Sequence, residues 1–214
     1  MIEEHMITAH QIAEALLRAG AVHLRPDQPF TFASGIKSPV YCDNRLLLGD
    51  VAARRLVSAG FAERCEAAEV LAGPATGGIP WAAWVAELRA LPMAYVRSSA
   101  KGHGRGRQVE GAAIVGKHVV LLEDTVSTGE SALNAAEALK AEGAQLRQCM
   151  CIFTWGWAAT NQAFADLGLT LSPLATLADL LDVATHNRSL SAEQRRIVEA
   201  WSADPQGWGA SLGR

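Results

Sequence analysis

The sequence predicts an α/β fold, a parallel sheet covered by helices and built as one domain. Three observations carry this. Short strand-like apolar runs alternate with segments of helical period, at spacings that suit parallel βαβ units. The run Val119, Val120, Leu121, Leu122 is β-branched and aliphatic throughout, as in a parallel strand buried on both faces. That run leads through two acids and a small polar loop into a helix, and open α/β sheets bind ligands at such a carboxyl end. With 214 residues, 50% of them hydrophobic and 19% charged, the chain suits a single domain with a sizeable core. It shows no internal repeat, low-complexity tract or composition break.

Thr8 with Gln11 marks a helix start. Ile12, Ala15, Leu16 and Ala19 share one face, and Gly20 ends the helix. Two extended pieces follow, around Ala21 to Leu24 and Phe30 to Phe32, split by a turn rich in Pro and Asp. Ala33 to Pro39 is polar and glycine-bearing and reads as a surface turn. Asp50 to Glu66 reads as a helix, with Val51, Leu56 and Val57 among its apolar positions. Glu69 to Ala72 is a short strand, GPATGGIP (residues 73–80) a turn, Trp81 to Arg89 a helix and Pro92 to Val96 a strand. After the central strand, Leu133, Ala136 and Leu139 recur near helical period until Gly143 stops them. Leu146 to Phe153 is a further strand, and Thr154, Trp155 and Gly156 turn into an apolar helix through Phe164. Thr176 to Ala184 and Ser191 to Trp201 read as helices, and the glycine-rich tail, Asp204 to Arg214, as loose.

Composition narrows the function. A net charge of −3 gives no general reason to expect nucleic-acid binding. No apolar run approaches the ~20 residues of a membrane span. The N-terminus, MIEEHMITAH, is acidic and lacks the apolar core of a secretory signal, so a cytoplasmic address is expected by default. Cys42, Cys65, Cys149 and Cys151 form no Cys-x-x-Cys pair and read as buried reduced thiols rather than metal ligands.

Two stretches carry chemistry. Glu123 and Asp124 stand where the central strand should end, and Thr125, Ser127, Thr128 and Gly129 follow. Hydroxyls and a glycine before a helix suit a loop that wraps an anion with backbone N–H groups. One reading is a phosphate cradle beside a diol-binding acid pair. The other is a plain capping box, Ser127 with Glu130, which needs no ligand. The pattern is neither a Walker loop nor Gly-x-Gly-x-x-Gly. The second stretch, YVRSSAKGHGRGRQVEGA (residues 95–112), places Arg97, Lys101, Arg105 and Arg107 within eleven residues, together with His103 and three glycines. Such a run is either a solvated face or a mobile basic lid for a polyanionic substrate. Its place just before the acidic strand favours the lid.

Three motifs, SGIKSPVYCDNR, YVRSSAKGHGRGRQVEG and VVLLEDTVSTGES, in this order and spacing, resemble the orotate phosphoribosyltransferases. The run LSAEQRRIVEAWSADPQGWG is similar to the end of many bacterial members, so the resemblance covers nearly the whole chain. The acid–acid–loop motif is common to type I phosphoribosyltransferases. Lys-Gly-His-Gly and SGIKSP point to the orotate enzyme.

The resemblance implies a type I phosphoribosyltransferase fold: a mainly parallel five-stranded sheet between helices, a small hood built mainly from about residues 1–45, and a mobile lid over residues 98–112. It implies transfer from phosphoribosyl diphosphate to orotate with Mg²⁺, in a homodimer whose lids close over the neighbouring site. The metal is expected to be held by substrate and water, with no protein side chains as ligands. By resemblance the 5′-phosphate lies on Thr125, Val126, Ser127, Thr128 and Gly129, with Glu130 and Ser131 beside it. Glu123 and Asp124 face the ribose hydroxyls. Lys101 and His103 reach the diphosphate as the catalytic pair, Arg97 anchors the lid, and Ser127 also contacts orotate. The chain departs from the family in three places. Ser98 and Ser99 replace an extra lysine, Ala33 replaces another, and no arginine follows Phe153-Thr154-Trp155. Lys37 or Arg45 is therefore expected on the orotate side. The rival readings are a transferase for another base, a non-catalytic sensor of phosphoribosyl diphosphate, and a generic phosphate-ester binding protein.

Overall fold

The computed structural model describes residues 6–31, 37–65, 67–98 and 107–211. Helix α1 (Ala9–Arg18) starts where the capping box foretells it. The Thr8 side chain accepts from the Gln11 amide and the Gln11 side chain from the Thr8 amide. Gly20, at φ 67°, turns the chain into strand β1 (Val22–Leu24). Two antiparallel ribbons follow from the next strands, β2 (Phe30–Thr31), β3 (Lys37–Ser38) and β4 (Val40–Cys42), with β1 paired to β4 and β2 to β3. The surface-turn reading of Ala33 to Pro39 fails at Lys37 and Ser38, since Ser38 is fully buried in a strand. Its hydroxyl donates to Val40 O at 2.7 Å and accepts from Val40 N at 3.2 Å, and this local closure lets a polar side chain enter the core. Phe32 and Ala33 lie outside the described residues.

Helix α2 (Val51–Ala62) is capped by Asp50, which accepts from the amides of Ala52 and Ala53. It ends earlier than the expected Glu66, and Val51 is exposed because the buried stripe is Ala53, Val57 and Phe61. Strand β5 (Val70–Pro74) is buried throughout. Helix α3 (Gly78–Arg89) begins before Trp81, since Pro80 in a first turn loses no hydrogen bond. Strands β6 (Met93–Val96) and β7 (Val109–Gly111) pair antiparallel across the basic segment, and β7 was not foreseen. Strand β8 (His118–Val126) runs through both acids rather than stopping at Leu122. Pairing with β9 (Gln145–Thr154) up to Val126–Thr154 overrides the poor strand preference of the acids.

Helices α4 (Glu130–Ala141) and α5 (Ala158–Asp166) flank β9, and β10 (Thr170–Thr176) was missed. Pro173 is tolerated in β10 because this strand is the sheet edge, where a missing N–H leaves no partner wanting. Helices α6 (Leu177–His186) and α7 (Ala192–Ala203) both start with capping boxes, at Thr176–Asp179 and Ser191–Gln194. The tail expected to be loose carries α8 (Pro205–Ser211). Asp204 Oδ1 accepts from the Gly207 amide at 2.9 Å, Pro205 opens the helix, and Trp208 packs on the core.

Among the described residues the main sheet has six strands in the order β10-β9-β8-β5-β6-β7, parallel except for the edge strand β7. Five parallel strands are as expected, and the antiparallel edge is an addition. Val120, Leu122, Met150 and Ile152 pack on the side of α1, α2, α3 and α6, while Val119, Leu121, Cys149 and Cys151 face α4 and α5. Among the described residues no helix is long and apolar enough to cross a membrane.

Helix α3 meets the sheet through two glycines. A Cβ on Gly78 would lie 2.4 Å from Leu122 O, and one on Gly73 2.4 Å from Gly78 O. Gly78→Ala should therefore destabilise the fold by about 1–3 kcal/mol through overpacking. Urea unfolding of the variant beside the wild type checks this, and an unchanged midpoint would count against it.

Candidate functional site

The carboxyl end of β8 lies mid-sheet, between β5 and β9. Two acids of unlike environment meet there. Glu123 is only 4% exposed. Its Oε1 accepts from the Asp124 amide at 3.0 Å and its Oε2 from Ser131 Oγ at 3.4 Å. Burial, followed by the adjacent Asp124 charge, pushes its carboxyl up to about 8. Asp124 is half-buried, and its Oδ1 accepts from the Thr125 amide at 2.6 Å. The Asp124 carboxylate rests against the turn after β5, where a Cβ on Gly77 would lie 2.7 Å from Oδ2. Only glycine permits that approach.

Beyond the acids, Val126 is buried and Ser127 and Thr128 are exposed. Thr154 Oγ1 donates to Val126 O at 2.9 Å and Thr160 Oγ1 to Ser127 O at 2.8 Å, so β9 and α5 hold the loop from behind. The expected Ser127–Glu130 capping box does not form. The N-cap of α4 is Gly129, at φ 87°, with no side-chain cap bond. A Cβ there would lie 2.7 Å from the Phe164 ring, so both backbone angle and crowding demand glycine. The first amides of α4 are thus left without a capping side chain, and the macrodipole adds positive potential for an anion.

Beside this end of α4 runs a cleft of about 280 Å³, lined in part by Ala75, Arg97, Gln108, Glu130 and Ser131. Arg97 Nη1 stands 3.5 Å from Glu110 Oε1, and Tyr95 Oη donates to Glu110 Oε2 at 2.5 Å. The Arg97 amide donates to Gln108 O at 2.9 Å, and Gln108 Nε2 donates to Arg97 O at 2.7 Å. These bonds clasp the two ends of the basic segment. Lys101 and His103 lie outside the described residues, as does Ser99.

Lys37 is half-buried in β3, and Arg45 grips Asp43 with Nε and Nη2 at 2.6 and 2.8 Å while remaining 72% exposed. Neither hydrogen-bonds to the acids or the loop among the described residues. Past β9, where the sequence carries no arginine, Trp155 packs against Phe153, Trp157 and Trp201 with ring centroids 4.9, 6.0 and 5.4 Å away. The four cysteines are free, and burial raises every thiol, so none is primed as a nucleophile.

Two site residues escaped sequence reasoning. Gly77 carried a signal, the glycine pair opening α3. Asn44 lies within the motif SGIKSPVYCDNR, but nothing local assigns it a role. It reaches the site from a 3₁₀ turn (Asn44–Leu48) and donates through Nδ2 to Asp124 O at 3.0 Å and Thr125 Oγ1 at 2.9 Å.

Among the described residues no group of three or more His, Cys, Asp or Glu is arranged to hold a metal ion. Asp124 nevertheless offers a partly exposed oxygen donor. Such a carboxylate can face a hard divalent cation whose ligands come from substrate and water.

The family model described as "Phosphoribosyl transferase domain" matches residues 52–160. The orotate phosphoribosyltransferase of Listeria monocytogenes serotype 4b is 45% identical over 203 residues, covering 93% of this chain and 97% of that one. The crystal structure of orotate phosphoribosyltransferase from Aeropyrum pernix superposes with a TM-score of 0.69 at 32% identity, over 80% of this chain and 96% of that one. Leishmania donovani UMP synthase superposes with a TM-score of 0.77 at 27% identity, over 91% of this chain and 42% of that longer one.

Proposed function

Because the chain belongs to the phosphoribosyltransferase family, we propose that it is an orotate phosphoribosyltransferase. It transfers the 5-phosphoribosyl group from phosphoribosyl diphosphate to orotate, giving orotidine 5′-monophosphate and diphosphate for pyrimidine (UMP) synthesis. The observation that carries this reading is 45% identity over 97% of a relative bearing that name. The acid pair on β8 beside an uncapped helix N-terminus supplies the chemistry that the name requires.

Transfer at the anomeric carbon passes through an oxocarbenium-like state, with positive charge on the sugar and negative charge on the leaving diphosphate. Catalysis then rests on positioning and electrostatics. The loop Thr125 to Gly129, with Ser131, takes the 5′-phosphate on the α4 amides. Asp124 orients the ribose hydroxyls and favours an electron-poor sugar, and Glu123 supports it from behind. Lys101 and His103 close on the diphosphate from the lid that Arg97 and Gln108 clasp at its base. When bound, Mg²⁺ neutralises diphosphate charge, and Asp124 is the residue that would face it. Ser127 contacts orotate from the loop. Lys37 is favoured over Arg45 as the cation on orotate's side, because Arg45 already pairs with Asp43. The ribbons of β1 to β4 form the hood, the active form is a homodimer with exchanged lids, and the enzyme works in the cytoplasm.

An absorbance assay of orotate loss, with phosphoribosyl diphosphate and Mg²⁺, tests the reading beside uracil, adenine and hypoxanthine. Orotate alone should be consumed. Consumption of another base instead would reassign the substrate, and no turnover of any base would favour a sensor.

A further inference from the structure

Asn44 is 2% exposed and lies 80 residues before Asp124 in the chain, yet its side chain is committed to the site. The amide orientation is settled by chemistry, because the Asp124 carbonyl can only accept and must therefore face Nδ2. The second Nδ2 hydrogen goes to Thr125 Oγ1. That oxygen is an acceptor towards Asn44, so its own hydrogen must point away. Among the described residues its other neighbour is Cys42 Sγ, at 3.8 Å, a weak partner.

Strand pairing explains why the side chain is needed. The ladder of β8 with β5 stops at Leu121–Ala72, whereas that with β9 continues to Val126–Thr154. Among the described residues the β5 side of β8 has no strand partner past Leu122, and there the Gly77 turn meets the Asp124 carboxylate. Asn44 supplies a hydrogen bond to the strand where the ladder has ended.

We propose that Asn44 is a positioning residue for phosphoribosyl transfer. It fixes the Asp124 carbonyl, and with it the aim of the Asp124 carboxylate. It also turns the Thr125 hydroxyl so that its hydrogen is free to donate to a phosphate oxygen of the substrate. The inference rests on the transferase reading and adds a residue to the phosphoribosyl-diphosphate side of that site.

The test combines Asn44→Ala, Thr125→Val and the double variant, with Michaelis constants for both substrates and melting temperatures. Asn44→Ala should raise the constant for phosphoribosyl diphosphate about tenfold, the loss of ~1.4 kcal/mol of binding, and leave that for orotate within about twofold. The double variant should be no worse than the poorer single one, because both changes remove one arrangement. Equal rises in both constants, additive losses, or a lowered melting temperature with unchanged kinetics would each reduce Asn44 to a structural role and overturn the proposal. Should Asn44→Ala fail to fold, Asn44→Ser carries the same test, since one short hydroxyl cannot span both acceptors. Calorimetric titration with phosphoribosyl diphosphate repeats the comparison without turnover. A wild type that binds this substrate but leaves orotate untouched refutes the transferase reading, while an unaltered affinity in the variant refutes the role of Asn44.

Discussion

Lys101→Ala is expected to lower turnover by about a hundredfold or more, with the melting temperature nearly unchanged. The size follows from where charge develops. The leaving diphosphate gains negative charge as the glycosidic bond breaks, and an ammonium aimed at it in a closed site is worth ~3 kcal/mol or more. A contact that strengthens in the transition state lowers kcat more than it raises KM, so the loss should fall mainly on kcat. Stability should hold because the basic segment is fastened at its base. Arg97 and Gln108 exchange hydrogen bonds of 2.9 and 2.7 Å, and β6 pairs with β7 down to Val96–Val109. Lys101→Arg should restore part of the rate, since charge is kept while reach and geometry change. Steady-state kinetics with thermal melts decides the matter. Wild-type turnover in Lys101→Ala would remove the lid from the mechanism.

Local chemistry was legible in the sequence, and long-range pairing was not. Thr8–Gln11 foretold the start of α1 because a capping box is complete within four residues. The strand, acids, loop and helix from Val119 to Gly143 were legible for the same reason, each signal lying next to the residue it governs. The same reasoning misled at Ser127, where a capping box fits by spacing but Gly129 takes the N-cap at positive φ against the Phe164 ring. That ring comes from α5, and no local window contains it. Strand β10 had no reading at all, and its Pro173 is tolerated only because β10 is an edge, which the assembled sheet alone decides. Asn44 lay inside a quoted motif, yet its role was not legible because its partners lie 80 and 81 residues away. The orotate assignment came from motifs and resemblance. The sequence pattern treated the two acids as equals, and burial is what separates them.

That separation makes the second large prediction, which contrasts Asp124→Asn with Glu123→Gln. Asp124 is half-buried at the carboxyl end of β8, and on the proposed reading its charge faces the ribose and the cation. Replacing it by asparagine keeps an oxygen to accept from the Thr125 amide but removes the charge, and kcat/KM for phosphoribosyl diphosphate should fall about a hundredfold. Glu123 is raised from 4.5 to about 8 by burial and then by the Asp124 charge, so near pH 7 it is largely protonated. Glutamine is nearly isosteric with that neutral form, so Glu123→Gln should stay within a few-fold of wild type at pH 7. Stability supplies an independent reading of the same difference. Between pH 4.5 and about 8 the folded protein keeps a proton that the unfolded chain has released. The stabilisation is therefore complete below the unfolded value and is lost as pH rises through the folded one, by on the order of a few kcal/mol. Glu123→Gln should flatten this decline. Asp124→Asn should shift it to lower pH by removing the second cause of the raised carboxyl. Urea midpoints from pH 5 to 9 measure both effects. A decline in Glu123→Gln as steep as in the wild type would show that some other group carries it, and equal kinetic losses in the two variants would show that the acids act as a matched pair.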